Sequence, residues 1–544
     1  MKKLLAFFLA FALLFSLAAC NDESESDSKK RDKVTFDELV VVDNDECKIT
    51  ITKLDLKNNN GPVLKTEVEN KTEDKTLGFH LDSSSVNGIQ CGAYFYQSVE
   101  AGKDTTGTIV ISDVELQKHD IGNYTDIELA FRVNDDNDWE AAPLVEKTVH
   151  VYPYGEEKAT KYVREPQKND TVLVDNDYVS IIATGYEEEG EFHSLNVFMV
   201  NKAETVLEIN ADNVSVNGFM SNPYLWNRVY AGKSAFDTIT WQDSDFGSVD
   251  IGDFTDIEMT LFVRDSTSMG SDPYSKDTVH YYPYGEDKAA NITYQVKPSD
   301  QILVDNEYVQ IIATGCEEQE IAQVVNLIAI NKSNKNVNIN ASNTSVNGLM
   351  LETNYWCTLS AGKSAFGWMD WSKSEFEDLG LGDFTDIETT FTVTDSDDWY
   401  ADTLAQETIR YYPEGESKAT TFNYTVQSSD TVLVDNEYVS IIITGHEKDD
   451  WGDYELSLFY TNKVDQDISI NARDITVNGI SLDPYYSEEL PASKCGFLPM
   501  QWSSYTLEEN NITDISEIVL TLEIFADYGW YTTNLVNETY TLVF

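Results

Sequence analysis

Polar and apolar residues alternate after Asp435-Asn436. Val439, Ile441 and Ile443 fall on one side, and Tyr438, Ser440, Ile442 and Thr444 on the other, which predicts a strand with one buried face. Near the start of the chain the same register turns Cys47, Ile49 and Ile51 inward and Lys48, Thr50 and Thr52 outward, so that Cys47 takes the place of a core valine. The Asp-Asn pair recurs at Asp43-Asn44, Asp175-Asn176 and Asp305-Asn306, with 132, 130 and 130 residues between successive aspartates. A period of that length means tandem domains with their own cores and excludes a solenoid of short units. The pair itself reads as a kink at a domain edge, because its side chains can bond local backbone.

Each repeat carries the same punctuation. A second strand ends in Asn70-Lys71, Asn201-Lys202, Asn331-Lys332 and Asn462-Lys463. The next closes on Asn87-Gly88, Asn217-Gly218, Asn347-Gly348 and Asn478-Gly479, a tight reversal that needs positive φ. A turn at Ala101-Gly102-Lys103, Ala231-Gly232-Lys233, Ala361-Gly362-Lys363 and Ala492-Ser493-Lys494 leads into a strand ending near Ile111, Trp241, Trp371 and Trp502. The Gly-containing link from Asp250 to Phe254 predicts one helical turn crossing between sheets, and Thr255-Asp256-Ile257-Glu258 starts another long strand. Roughly seven strands in about 110 to 120 residues predict an antiparallel β-sandwich. The fold class is therefore all-β, four tandem Ig-like sandwiches at 34–155, 156–285, 286–415 and 416–544. The Ig-type Cys and Trp spacing is missing, so the likeness is one of architecture. Short polar linkers of equal length follow Gly155, Gly285 and Gly415, which favours a rod or gently bent array. An alternating piece such as 422–426 supplies the first strand of the following domain.

The N-terminus changes the picture from fold to location. Lys2 and Lys3, an apolar run from Leu4 to Leu17 and then Ala18-Ala19-Cys20 read as a signal peptide over 1–19, with cleavage before Cys20 and acylation of that residue. Residues 20–33 form an acidic, solvated tether. The expected location is the outer leaflet of a bacterial cytoplasmic membrane, with the domains at the cell surface and a lipid anchor in the bilayer. Ninety-five acidic against 37 basic side chains leave a net charge of -58, which excludes nucleic acid as a partner. Beyond Cys20, Cys47 with Cys91 and Cys316 with Cys357 are candidate disulfides, while Cys495 has no partner in its own repeat.

Lipobox, acidic tether and units reading Leu-Val-Asp-Asn-Glu-Tyr-Val, Asn-Lys, Val-Asn-Gly, Ala-Gly-Lys and Thr-Asp-Ile-Glu resemble tandem Ig-like surface lipoproteins of Gram-positive bacteria. The resemblance covers essentially the whole chain. It implies a cell-surface β-sandwich protein and brings no catalytic residue with it.

Chemistry is sparse. Of six histidines only His150 and His280 share a register, and no HExxH, metal-finger cysteine pair, phosphate loop or GxSxG elbow is present. Duplication of the whole unit also argues against a single catalytic constellation, so the expectation is a non-enzyme without cofactor or metal. The acidic turns at Asp135 to Asp138 and Asp395 to Asp398, followed by Trp139 and Trp399, lack EF-hand spacing and read as hairpin tips. Aromatic residues after Val-Asn-Gly are the candidate ligand-binding loops: Tyr94 and Tyr96, Tyr224 and Trp226, Tyr355 and Trp356, Tyr485 and Tyr486. Such rings could stack on sugars or anchor a protein, or cover the open edge of the core, and their recurrence in every repeat favours covering. The functional expectation is binding, adhesion or display at the envelope, with glycan binding as its narrower form. A purely structural spacer is the alternative, and an envelope hydrolase is the third reading.

Overall fold

The alternating segments form strands because each can bury one face and pair both edges. The computed structural model describes residues 34–58, 61–138, 140–268, 270, 272–398, 400–449, 451–527 and 532–544. The signal segment 1–19, Cys20, the tether 20–33, Trp139 and Trp399 lie outside them. The chain forms two units, Met1–Arg164 and Glu165–Phe544. Among the described residues no helix is long and apolar enough to cross a membrane.

In the first unit one sheet runs Leu39–Asp43, Cys47–Asp55, Val63–Asn70, Asp104–Ile111, Ala93–Tyr94 in spatial order. Opposite it, Leu77–Val86 pairs with Ile127–Asp135, Ile89–Cys91 and Tyr96–Val99, and Ile127–Asp135 pairs with Val145–Val151. The core lies between them, with Ile49, Ile51, Leu64, Phe79 and Phe131 fully enclosed. The candidate bridge between Cys47 and Cys91 is not formed, and neither is that between Cys316 and Cys357; all four are free thiols. Cys47 faces the core from one sheet, whereas Cys91 belongs to the other and donates its thiol to the Ile89 carbonyl at 3.3 Å. Burial pushes the Cys47 thiol up to about 11 and the Cys91 thiol up to about 12, so neither is an activated nucleophile.

The second unit repeats this sandwich three times and joins the copies through shared sheets. One sheet of its first sandwich holds Thr171–Asp175, Val179–Glu189, Phe192–Asn201 and Ser234–Gln242. The facing sheet holds Ser275–Tyr281, Ile257–Asp265, Leu207–Val216, Phe219–Met220 and Trp226–Val229. That sheet does not stop at the sandwich. Phe219 and Met220 pair in parallel with Ser364 and Ala365, the start of a strand in the next repeat. Leu349 pairs in the same way with Cys495 at the following junction. Each second sheet thus continues into the first sheet of its successor, where separate sandwiches on short linkers were expected.

The linkers reinforce this continuity. The alternating segments expected to be first strands form no strand. They lie across the outer face of the following sandwich, where Tyr294 clusters with the fully buried Ile312 and Ile328, and the Tyr424 ring stacks on Phe459 at 4.7 Å. Phe422 is tied to the preceding hairpin by its backbone N–H, which donates to the Asn347 carbonyl at 2.7 Å. This covering explains Ile442, an apolar residue on the side expected to face water, which is only 6% exposed.

Lysines of the Ala-Gly-Lys turns add an ionic tie between repeats. Lys363 Nζ reaches Glu258 Oε2 of the preceding repeat at 2.6 Å, and Lys494 Nζ reaches Glu388 Oε1 at 3.0 Å. Asp256 and Glu258 also meet His280 of the last strand, and Asp386 and Glu388 meet Arg410 at the equivalent place. In the last repeat Val519 takes the place of the glutamate, and Ile480–Ser481 is the edge of the last sheet.

The repeated dipeptides have local causes. Asn436 Oδ1 accepts from the backbone of Tyr438 and Val439, both at 2.8 Å, closing a small turn. Its neighbour Asp435 pairs with Lys463 at 2.5 Å, as Asp175 pairs with Lys202 and Asp305 with Lys332, so the Asp-Asn and Asn-Lys motifs meet in space. Each lysine holds its aspartate below the usual carboxylate range. That contribution to stability is present above the ordinary aspartate range and fades as pH falls through the lowered value. The asparagine before each lysine is buried and bonds backbone on three sides. Asn201 Nδ2 donates to the carbonyls of Thr205 and Val229 at 2.8 and 2.7 Å, and its Oδ1 accepts from Ala203. The helical turn expected at 250–254 falls earlier, at Asp243–Phe246, Lys373–Leu379 and Ser504–Glu509, because Phe254 is drawn fully into the core instead.

Replacing Asn201 with Ala leaves these buried backbone groups without partners. It is expected to destabilise the second unit by about 2–3 kcal/mol, read as a lower denaturant midpoint.

Candidate functional site

The segment after each Asn-Gly turn decides which side chains meet solvent. Asn217 and Gly218 take φ of 50° and 86°, and the Asn217 side chain closes the loop behind them. Its Oδ1 accepts from the backbone and hydroxyl of Thr255 and from Asp256, while its Nδ2 donates to the carbonyls of Ile251 and Asp253. The chain then leaves the hairpin and re-enters the sheet as a short strand such as Trp226–Val229. Three consecutive residues span that entry, and strand geometry makes their side chains point alternately out, in and out.

This alternation divides the aromatic residues. The middle residue plugs the core: Phe95, Leu225, Tyr355 and Tyr486 are all buried. Tyr486 donates to the Leu498 carbonyl at 2.9 Å, and Tyr355 meets Phe391 edge-on at 5.9 Å. The residue before it is open, with Tyr94 79%, Tyr224 75% and Tyr485 88% exposed. After it come Tyr96, Trp226 and Trp356. Tyr96 is committed locally, since its hydroxyl donates to Asp136 Oδ2 at 2.9 Å and its ring lies 4.9 Å from His80. Trp226 stands beside the Glu208 carboxylate, which receives Arg264 at 2.5 Å and is held below the usual carboxylate range. Trp356 is different. Asn338 stands where Glu208 does and is taken by the Thr358 hydroxyl at 2.8 Å, leaving the indole 58% exposed.

Trp356 opens onto a cleft of about 520 Å³ where the second and third sandwiches join. The sequence reading missed its other wall, Phe366 and Trp368 on Ser364–Ser372, whose rings lie 5.9 Å apart. A signal was present: Phe366 and Trp368 are alternate residues on the outer side of a strand whose inner side carries Met369 and Trp371. The equivalent cleft at the next junction, of about 660 Å³, has a different lining: Glu352, Glu375, Asp378, Asp467, Glu488 and Glu489 beside Leu351 and Phe497. Burial raises the Glu352 and Glu488 carboxyls above their usual range. Among the described residues no group of three or more His, Cys, Asp or Glu is placed to hold a metal ion. The acidic turns bond their own backbone: Asp138 Oδ1 accepts from Glu140 and Ala141, and Asp395 Oδ1 from Asp397.

No protein-family model matches the chain, and no curated protein does. Among solved structures it is similar to Escherichia coli alpha-2-macroglobulin activated by porcine elastase, at 9% identity and a TM-score of 0.12, over 90% of this chain and 44% of that one. It is also similar to the native conformation of E. coli alpha-2-macroglobulin, at 10% identity and a TM-score of 0.13, over 94% of this chain and 32% of that one. The chain therefore spans less than half the length of these structures, and a likeness at such TM-scores carries no argument about function.

Separate roles for neighbouring aromatics predict separate phenotypes. Tyr355→Ala is expected to lower stability by about 3–5 kcal/mol, whereas Tyr485→Ala changes it by less than about 0.5 kcal/mol; paired thermal melts check both.

Proposed function

We propose that this chain is a non-enzymatic lipoprotein of the bacterial envelope, anchored through Cys20, whose joined sandwiches present a binding face to a glycan or protein ligand at the cell surface. The observation that carries the reading is the recurrence of a solvent-facing ring beside each core plug, with the three sandwiches of the second unit held together by shared sheets. Such rings do not serve the core, and fully burying one would favour folding by about 1.5–3 kcal/mol. Their positions are fixed by strand pairing, which lowers the ordering cost of binding.

Anchoring and binding are separate parts of the proposal. The lipobox and the acidic tether support anchoring, and the tether would hold the sandwiches clear of the bilayer. The charge of -58 disfavours polyanionic ligands and leaves neutral or basic ones. A pure spacer would need the shared sheets and ionic ties without the open aromatics.

Two measurements test this. Cells producing the wild-type chain are expected to incorporate labelled fatty acid into it and to retain it in the membrane fraction, and Cys20→Ser is expected to lose both. Full-length protein in detergent micelles is expected to be retained on purified envelope material from the same cells. The combined Tyr224→Ala, Trp226→Ala and Trp356→Ala variant is expected to bind at least tenfold more weakly with its melting curve preserved. Equal retention of both proteins would sink the aromatic face and favour the spacer.

A further inference from the structure

The two internal clefts occupy the same place in successive junctions of the second unit, so each serves as a control for the other. Between the second and third repeats the walls are Trp356, 58% exposed, and Trp368, 51% exposed, with Asn222, Ser244 and Asp245 at the rim. Between the third and fourth repeats Ser487 and Pro499 stand in the tryptophan positions. There Glu352, Glu375 and Glu488 replace Asn222, Asp245 and Cys357. The fold therefore builds a cleft at each of these junctions, with a phenylalanine in both, Phe366 and Phe497, and exposed indoles in only one.

The cleft with the indoles has a rigid floor. Phe366 lies beneath the turn at Gly247, where a Cβ would come within 2.4 Å of the ring, so only glycine admits this approach. Gly367, between Phe366 and Trp368, faces the Tyr355 core plug, and a Cβ there would meet that ring at 3.1 Å. In the second repeat the equivalent of Gly367-Trp368 is Asp237-Thr238, with Asp237 accepting from Asn227 at 2.9 Å. The third repeat has exchanged a polar pair on this strand for a small residue and an exposed indole.

We propose that this cleft binds a saccharide carrying neutral or amino sugars, with a ring face stacked on the indoles of Trp356 and Trp368 and hydroxyls bonded by Asn222, Ser244 and Asp245. A pyranose has an apolar C–H face and a polar rim, and the cleft offers the complement, aromatic faces with an amide, a hydroxyl and a carboxylate at their border. Its volume falls within the range of about 300–1,000 Å³ usual for small-ligand sites. Asp245 accepts the Gln242 backbone N–H through Oδ2 at 2.9 Å, which fixes the carboxylate at the rim. That charge, on a chain of net charge -58, works against uronate and phosphate-bearing polymers.

This inference rests on the reading of the chain as a binding protein and narrows it to one cleft and one ligand class. The test is titration of full-length protein in detergent micelles with oligosaccharides of neutral hexose, N-acetylhexosamine and uronate units, followed by tryptophan fluorescence and calorimetry. Binding of a neutral or amino-sugar oligomer is expected, and uronate oligomers are expected not to bind. Trp356→Ala and Trp368→Ala are each expected to weaken binding at least tenfold with unchanged melting curves, while Glu488→Gln in the other cleft leaves it unaltered. Full affinity in the Trp356→Ala, Trp368→Ala double variant would overturn the assignment of the cleft and leave the broader binding reading standing. Retention on envelope material without binding to any saccharide would overturn the ligand class. If the double variant melts early, Trp368→Tyr, which keeps a ring, must retain most of the affinity for the assignment to stand.

Discussion

The architecture of the second unit depends on how the strand after each Asn-Gly turn is paired. A short edge strand presents unpaired N–H and C=O groups, and an open edge invites association with other chains. Here Phe219–Met220 and Leu349–Met350 are capped by strands of the next repeat, so the open edge of one sandwich becomes its joint to the following one. The Asn217 and Asn347 side chains make this possible. Each bonds the backbone of the returning strand and of the loop behind it, holding the turn in the geometry its neighbour needs.

Joining by sheet continuity has consequences that flexible linkers would not have. The outer face of each following sandwich must accept apolar cover, which is why Ile312, Ile328, Ile442 and Phe459 are buried. Lys363 and Lys494 are drawn between repeats onto Glu258 and Glu388 in partly desolvated positions, where an ion pair is screened less than at the surface. The same contacts create the clefts: a concave angle remains where the crossover turn of one sandwich meets the first sheet of the next. What lines that angle is free to vary, and it differs between the two junctions, aromatic at one and acidic at the other.

Much of the fold was legible along the chain. Period-two alternation marked the strands, and the Asn-Gly pairs marked turns whose residues do take positive φ. The aromatic loops were legible as a group but not residue by residue. Whether Tyr485 or Tyr486 faces inward depends on the register of a four-residue strand, too short for its own pattern to declare a phase. Trp368 escaped notice because it lies mid-strand, away from the loops, although its alternation with Met369 and Trp371 places it on the outer face. The linker segments misled because alternation also describes an extended strap laid over a sheet, which buries one side without pairing an edge.

Local chemistry thus determined the elements, their order, the repeat period and the acidic surface, because turn conformation, strand amphipathicity and charge act over a few residues at a time. Tertiary structure decided the rest: that Lys202 finds Asp175, that Asn201 turns inward to close three backbone bonds, and that one repeat's hairpin completes the sheet of the next. Such pairings join residues far apart in sequence whose partners are chosen by packing, and no local pattern encodes which edge will meet which. The cleft between Trp356 and Trp368 belongs to this second kind, since its floor, rim and walls come from two repeats and exist only where they are joined.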